Sequence, residues 1–266
     1  MAETSQVDER IKDISPLRRA LIRPELGGIV GTVAVFTLFL LFAFDSGMFN
    51  TQGVMNWSTV SAQFMIIAVG ACLLMIAGEF DLSVGSMIGF AGMMIAVFGV
   101  VLAWPMWMAI IITFVICTAL GALNGWIVVR TGLPSFIVTL AFLFILRGFT
   151  IYIPQTVENK TIIAVFERGS RTGEPVVDGS PMLIVWAIAL VIFGHILLTR
   201  TRFGNWIFAA GGDADAARNS GVPVNRVKIL MFMFTACCAT VLAVCQVMEF
   251  GSAGADRGLL KEFEAI

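Results

Sequence analysis

The chain is poor in the residues that catalysis uses. It holds one histidine and one tyrosine among 266 residues. A lone histidine, His195, leaves little room for a hydrolase that pairs a serine with a base. No Gly-Lys pair occurs, so the phosphate-binding loop G-x-x-x-x-G-K-[ST] is missing. The chain is therefore not expected to be an enzyme, and any ATP hydrolysis it depends on is expected on a separate subunit. Five cysteines (Cys72, Cys117, Cys237, Cys238 and Cys245) show neither metal-ligand nor disulfide spacing and read as small apolar packing residues. No metal and no cofactor are expected. Charge is scarce as well: 13% of residues are charged, against about a quarter in a soluble domain. No basic stripe with interleaved aromatics occurs, so nucleic acid is not an expected partner. Strand-like alternation is absent, which argues against a membrane β-barrel.

What is present is apolar. Hydrophobic residues make up 58% of the chain. They fall in blocks of about 17–25, the length a helix needs to cross the hydrocarbon core. The pattern predicts an all-α polytopic membrane protein in contact with the lipid bilayer. Seven spans are read, at 27–44, 63–77, 85–103, 106–129, 136–153, 182–198 and 229–250. The second is short and has the length of half a broken helix. Residues 1–26 are polar and read as a cytoplasmic segment before a membrane domain at 27–266. Their long charged part and the lack of a small-residue cleavage site argue against a secretory signal.

Lysine and arginine set the orientation. With the N-terminus inside, eleven basic residues fall on the cytoplasmic side, among them Arg10, Arg23, Arg130, Arg202, Arg226 and Lys228. Five fall outside: Lys160, Arg168, Arg171, Arg257 and Lys261. The positive-inside rule then places the N-terminus in the cytoplasm. The longest outer segment, 154–181, reads either as a solvated loop or as a contact surface for an extracytoplasmic partner.

Few polar residues interrupt the spans. Glu79, Asp81 and Ser83 break a stretch that is otherwise apolar from Phe64 to Ala103. Acidic groups at membrane depth are costly and persist where they line a cavity or hold a helix break. Asp81 is placed to cap the following helix, with Ser83 as the alternative cap. The segment reads either as an ordinary cytoplasmic turn or as a break facing a translocation pathway. Asn124 and Arg147 lie inside other spans and complete the candidate pathway set. Arg147 needs a partner or a route to the interface; it reads first as a structural ion pair or a snorkelling side chain, with substrate contact as the alternative. Two G-x-x-x-G pairs, Gly85/Gly89 and Gly121/Gly125, permit close helix packing.

A polar island at 199–226 separates the last two spans. It carries the start and stop signals of one short helix. Asp213 is a capping residue, Ala214, Asp215, Ala216, Ala217 and Arg218 favour helix, Gly221 suits the left-handed C′ position, and Pro223 stops continuation. Asp215 and Arg218 stand three apart, so they can pair with each other or with charges on a partner. The three alanines present small side chains suited to a groove. A capped two-turn helix in a basic loop, 199–228, has the form of a docking element.

Three segments in order carry a resemblance: GEFDLSVGSMIG from Gly78, GLPSFIVTLAFLFILRG from Gly132, and TRFGNWIFAAGGDADAARNSGVPVNRVKI from Thr201. Together they resemble the permease subunits of bacterial ribose-type ABC sugar importers, from about Gln63 onward. In that family the first segment usually reads Gly-Gly-Ile-Asp-Leu-Ser; here Glu79 and Phe80 replace Gly-Ile. The third usually has Gly-Gly-Asn; here it is Gly211-Gly212-Asp213. The resemblance implies a bacterial inner-membrane permease that pairs with a second permease subunit, expected as a homodimer. It implies contact with a cytoplasmic ATP-binding subunit and receipt of a monosaccharide or related polyol from a periplasmic binding protein. The 199–228 loop resembles the family's coupling segment to the ATPase. Family members continue with further spans after a Glu-Leu-Asp-Ala-Ile-like stretch, matched here by Glu262 to Ile266, so truncation at the C-terminus is expected. The rival reading is an ion-coupled secondary transporter of a small polar solute, using Glu79–Ser83 as an ion site on a broken helix. It leaves the capped island helix unexplained.

Overall fold

The computed structural model describes residues 25–165 and 179–261. Residues 1–24 of the polar N-terminal segment, 166–178 of the 154–181 segment, including Arg168 and Arg171, and Glu262 to Ile266 lie outside the described residues. The chain forms two compact units that divide between Met55 and Asn56.

In the first unit, helix α1 (Glu25–Phe42) is apolar and exposed along its length. Its apolar part, Leu26–Phe42, is shorter than the other membrane-sized helices. At 1.5 Å per residue it reaches about 26 Å, less than the hydrocarbon thickness of about 30 Å. The expected count of seven spans thus becomes six full-length helices and one shorter apolar helix among the described residues.

Those six are α2 (Thr51–Ile76), α3 (Val84–Ala96, extended by a π-helical turn Val97–Val101), α4 (Met106–Thr131), α5 (Ser135–Glu158), α6 (Gly179–Arg200) and α9 (Val224–Phe250). Between α6 and α9 lie two short helices, α7 (Arg202–Gly212) and α8 (Ala214–Asn219). Helix α2 corrects the short second span. Asn56, Ser58, Ser61 and Gln63 dilute its hydropathy, yet the helix runs 26 residues, so it is not half of a broken one. Helix α5 continues through Pro154, so the loop after it starts later than 154.

Proline and left-handed residues punctuate the bundle. Pro105, Pro134 and Pro223 stand immediately before α4, α5 and α9. Gly132, Asn159 and Gly251 end the same three helices in the left-handed region. A proline has no N–H to leave orphaned at a helix start, and glycine or asparagine tolerates positive φ at its end.

The core forms where α9 packs against α3, α4 and α6. Of the two G-x-x-x-G pairs, Gly121/Gly125 packs close on α9, while Gly89 of the other meets the non-helical backbone of Arg257. A β-carbon on Gly121 would stand 2.7 Å from the Ala236 side chain, and one on Gly125 would stand 2.9 Å from the Ile229 backbone. Helix α3 is the most enclosed, with 72% of its span buried against 17% for α6. Large apolar side chains such as Val115, Phe144 and Ile188 point outward, which suits lipid and not water.

The sequence pattern missed two strands. β1 (Ile162–Ala164) and β2 (Ser252–Gly254) pair antiparallel, Ile162 opposite Gly254. They close the end of the bundle where α5 and α9 finish.

Candidate functional site

The turn between α2 and α3 is where most of the polar candidates meet. Helix α2 ends with Gly78 at φ +83°, a left-handed conformation that glycine adopts without penalty. The Gly78 N–H donates to the Met75 carbonyl (2.9 Å) and the Glu79 N–H to the Leu74 carbonyl (3.2 Å), a Schellman ending. The chain then leaves helix for Glu79, Phe80 and Asp81, and each residue is tied to a different element. Glu79 forms an ion pair with Lys228 in the first turns of α9; the two side chains are only 10% and 17% exposed. The Phe80 N–H donates to Ser135 Oγ at the start of α5 (3.0 Å).

Asp81 Oδ1 accepts from the Ser83 N–H (2.8 Å) and from Ser83 Oγ (2.5 Å). Ser83 Oγ in turn accepts from Asn124 Nδ2 of α4 (3.3 Å). Asn124 is sealed, at 1% exposure, and among the described residues its Oδ1 has no hydrogen-bond partner, nor has the Oγ of Ser86. Burial raises the Asp81 carboxyl above its ordinary value, and the two hydrogen bonds from Ser83 pull against that rise.

This geometry corrects the capping expectation for Ser83. Ser83 holds the N-cap position of α3 but makes no side-chain cap, because its backbone is already helical (φ −76°, ψ −9°). A capping side chain needs an extended backbone to reach the first free amides. Asp81 does what was expected of it: its Oδ1 accepts from the N–H of the helical Ser83 two residues on, the contact by which a side chain caps a helix start. Arg147 stands apart from the network. It is half-buried on α5, twelve residues beyond Ser135, about 18 Å along the helix axis.

The island adds a second set. It holds two helices where one was expected. Thr201 caps α7, its Oγ1 accepting from the Gly204 N–H at 3.1 Å. Asp213 caps α8 as expected, Oδ1 accepting from the amides of Asp215 and Ala216, both at 3.0 Å. Gly221 takes the left-handed conformation, φ +83°. Asp215 and Arg218 pair across one turn at 2.7 Å, and both are solvent-facing. Asp213, Asp215, Ala216, Arg218 and Gly221 are exposed and Ala214 is half-buried. Ala217 departs from expectation: it is buried against the chain itself, in the cluster that holds Ala210, Val224 and Val227. It cannot seat in a partner's groove.

The two sets touch. Gly211 of α7 lies against the Ile76–Ala77 backbone at the end of α2, and Gly78 lies against Gly211 in return. Two motifs more than a hundred residues apart thus form one end of the bundle. The family model described as branched-chain amino acid transport system / permease component matches residues 53–266, which include both sets. The chain belongs to that permease family. The permease is 28% identical to the xylose transport system permease protein XylH of Escherichia coli (strain K12), over 90% of this chain and 75% of the relative. It is 30% identical to the inner membrane ABC transporter permease protein YjfF of the same strain, over 88% and 72%. It is 29% identical to that strain's ribose import permease protein RbsC, over 82% and 67%. No solved structure matches the permease.

Several residues of this region escaped sequence reasoning. Ser135, Lys228, Gly211 and Thr201 were not singled out as site residues. Pro134 before Ser135 and the capping residue type of Thr201 are the available signals of helix starts. A second polar group also escaped it. Gln246 Nε2 donates to Gln63 Oε1 (3.0 Å), Gln63 Nε2 to Glu249 Oε2 (3.4 Å), and Arg257 to the Gln246 carbonyl (3.2 Å). Gln63, Gln246 and Glu249 are scattered through apolar helices and Arg257 follows the last of them, so no local pattern joins them.

Proposed function

We propose that the permease forms the translocation pathway for a monosaccharide or related polyol in an ATP-driven importer of the bacterial inner membrane. The observation that carries this reading is the island: a capped two-turn helix with an exposed face, set between two membrane-sized helices of a chain that has no phosphate-binding loop. Such a chain needs a partner that hydrolyses ATP, and α8 offers it a rigid, charged contact. An open hollow of about 320 Å³ beside α8, lined by Arg218, Pro223, Asn225 and Arg226 among others, adds a recess for a side chain of that partner. The sugar class rests on the relatives named for xylose and ribose transport.

The island and the N-terminal segment 1–26 are assigned to the cytoplasm, on the bias of basic residues toward that side. Asp213, Ala214, Asp215, Ala216, Arg218 and Gly221 are the proposed coupling residues, and Ala217 supports them from beneath. Glu79, Asp81, Ser83, Asn124 and Arg147 are the proposed pathway residues. The free Asn124 Oδ1 supplies an acceptor for a hydroxyl group. A periplasmic sugar-binding protein and a second copy of the permease complete the assembly.

Reconstitution tests the reading. The permease, the ATP-binding subunit and the binding protein in vesicles should take up labelled xylose or ribose only with ATP inside the ATPase-bearing compartment. Uptake driven by a sodium or proton gradient without ATP would establish the ion-coupled alternative instead.

A further inference from the structure

We infer that the Glu79–Lys228 ion pair is a positioning clamp that transmits displacement of the island to the buried helix α3. The inference rests on the importer reading above.

The island is held to the α2–α3 turn at two places. Near its middle, Gly211 sits so close to the end of α2 that no side chain fits between them. Just after it, Lys228 of α9 reaches back to Glu79 in the same turn. Backbone contact at one place and charge at the other make island and turn move as one body. Neither side chain of the pair is free to relax into water, since both are largely enclosed. On its far side the turn leads directly into α3 through the Asp81–Ser83–Asn124 hydrogen bonds. Helix α3 in turn meets the segment after β2 without intervening side chains: a β-carbon on Gly258 would stand 2.1 Å from the Gly85 carbonyl oxygen, and one on Gly89 would stand 2.4 Å from that of Arg257. A push on α8 therefore has a continuous, close-packed route to the most enclosed helix of the bundle.

Charge is the removable link in this route. The other contacts are backbone to backbone, or hydrogen bonds of the turn with itself and with Asn124 of α4.

The test uses the full complex with its ATP-binding subunit and sugar-loaded binding protein in vesicles. Glu79→Gln and Lys228→Met are each compared with the exchanged pair, Glu79→Lys combined with Lys228→Glu. The readout is sugar transported per ATP hydrolysed, at equal amounts of assembled complex. Each single variant should assemble yet transport about tenfold less sugar per ATP, and the exchanged pair should recover to within about threefold of the unaltered complex. Single variants that keep the unaltered ratio overturn the clamp. So do single variants that fail to assemble, since the pair is then a folding element, and so does an exchanged pair no better than the singles. Failure of the unaltered complex to couple ATP hydrolysis to sugar uptake overturns the importer reading itself, which separates the two.

Discussion

A β-carbon on Gly211 would stand 1.8 Å from the carbonyl oxygen of Ile76, so α7 crosses the end of α2 backbone to backbone. The next residue, Gly212, has open space around its α-carbon. These two adjacent glycines give a built-in control. Gly211→Ala should force α7 away from α2 and destabilise the permease by about 1–3 kcal/mol or more, as overpacking does. Gly212→Ala should change stability by less than about 0.5 kcal/mol. Thermal unfolding of the detergent-solubilised permease reads both; equal midpoints for the two variants would contradict the contact.

Ala216 and Ala217 are neighbours on α8 with opposite surroundings, one exposed and one buried. Ala217→Leu should lower the unfolding midpoint, at a cost of about 1–3 kcal/mol, because the cluster beneath it has no space to give. Ala216→Leu should leave the midpoint within about 0.5 kcal/mol of the original. If α8 docks on the ATP-binding subunit, the same Ala216 variant should reduce ATPase stimulation by sugar-loaded binding protein. Full stimulation in that variant would remove Ala216 from the interface.

The two ends of α8 rest on different physics. Asp213→Ala removes the acceptor of two amides and should cost about 0.5–2 kcal/mol, while Asp213→Ser should retain most of the cap. Gly221→Val places a β-branched residue at φ +83° and should cost about 1–2 kcal/mol through steric strain alone. Amide hydrogen exchange across 214–219 should accelerate in Asp213→Ala and Gly221→Val and stay near the original rate in Asp213→Ser.

Asp81 separates charge from hydrogen bonding. Asp81→Asn keeps an oxygen that accepts from the Ser83 amide and removes a buried charge. Asp81→Ala leaves that amide and the Ser83 hydroxyl without their acceptor, which costs about 1–3 kcal/mol. The alanine variant should therefore be the less stable of the two, and equal thermal midpoints for the two variants would show that an uncharged oxygen cannot replace the carboxylate.

How much of this was legible in the sequence follows from the range of each interaction. The membrane class, the spans and the capped α8 were readable, because hydropathy, a capping side chain and a left-handed glycine act within a few residues of one another. Asp213 and its two amides lie inside one turn. Only the tertiary structure decided the rest. Glu79 finds its partner 149 residues away in Lys228, and β1 pairs with β2 across the whole α6–α9 segment. Ser83 was placed as a possible cap, but packing against Asn124 and Asp81 turned its hydroxyl elsewhere. The alanine pattern offers Ala217 to a partner, and the fold puts it in the core. The deeper reason is the solvent. In water, an apolar stripe on a helix marks the face that packs inward. In a bilayer, lipid tails are as apolar as a protein interior, so the outward and inward faces of a span carry the same kinds of residue. Hydropathy then says that α3 and α6 both cross, and only the fold says that one is enclosed and the other faces outward.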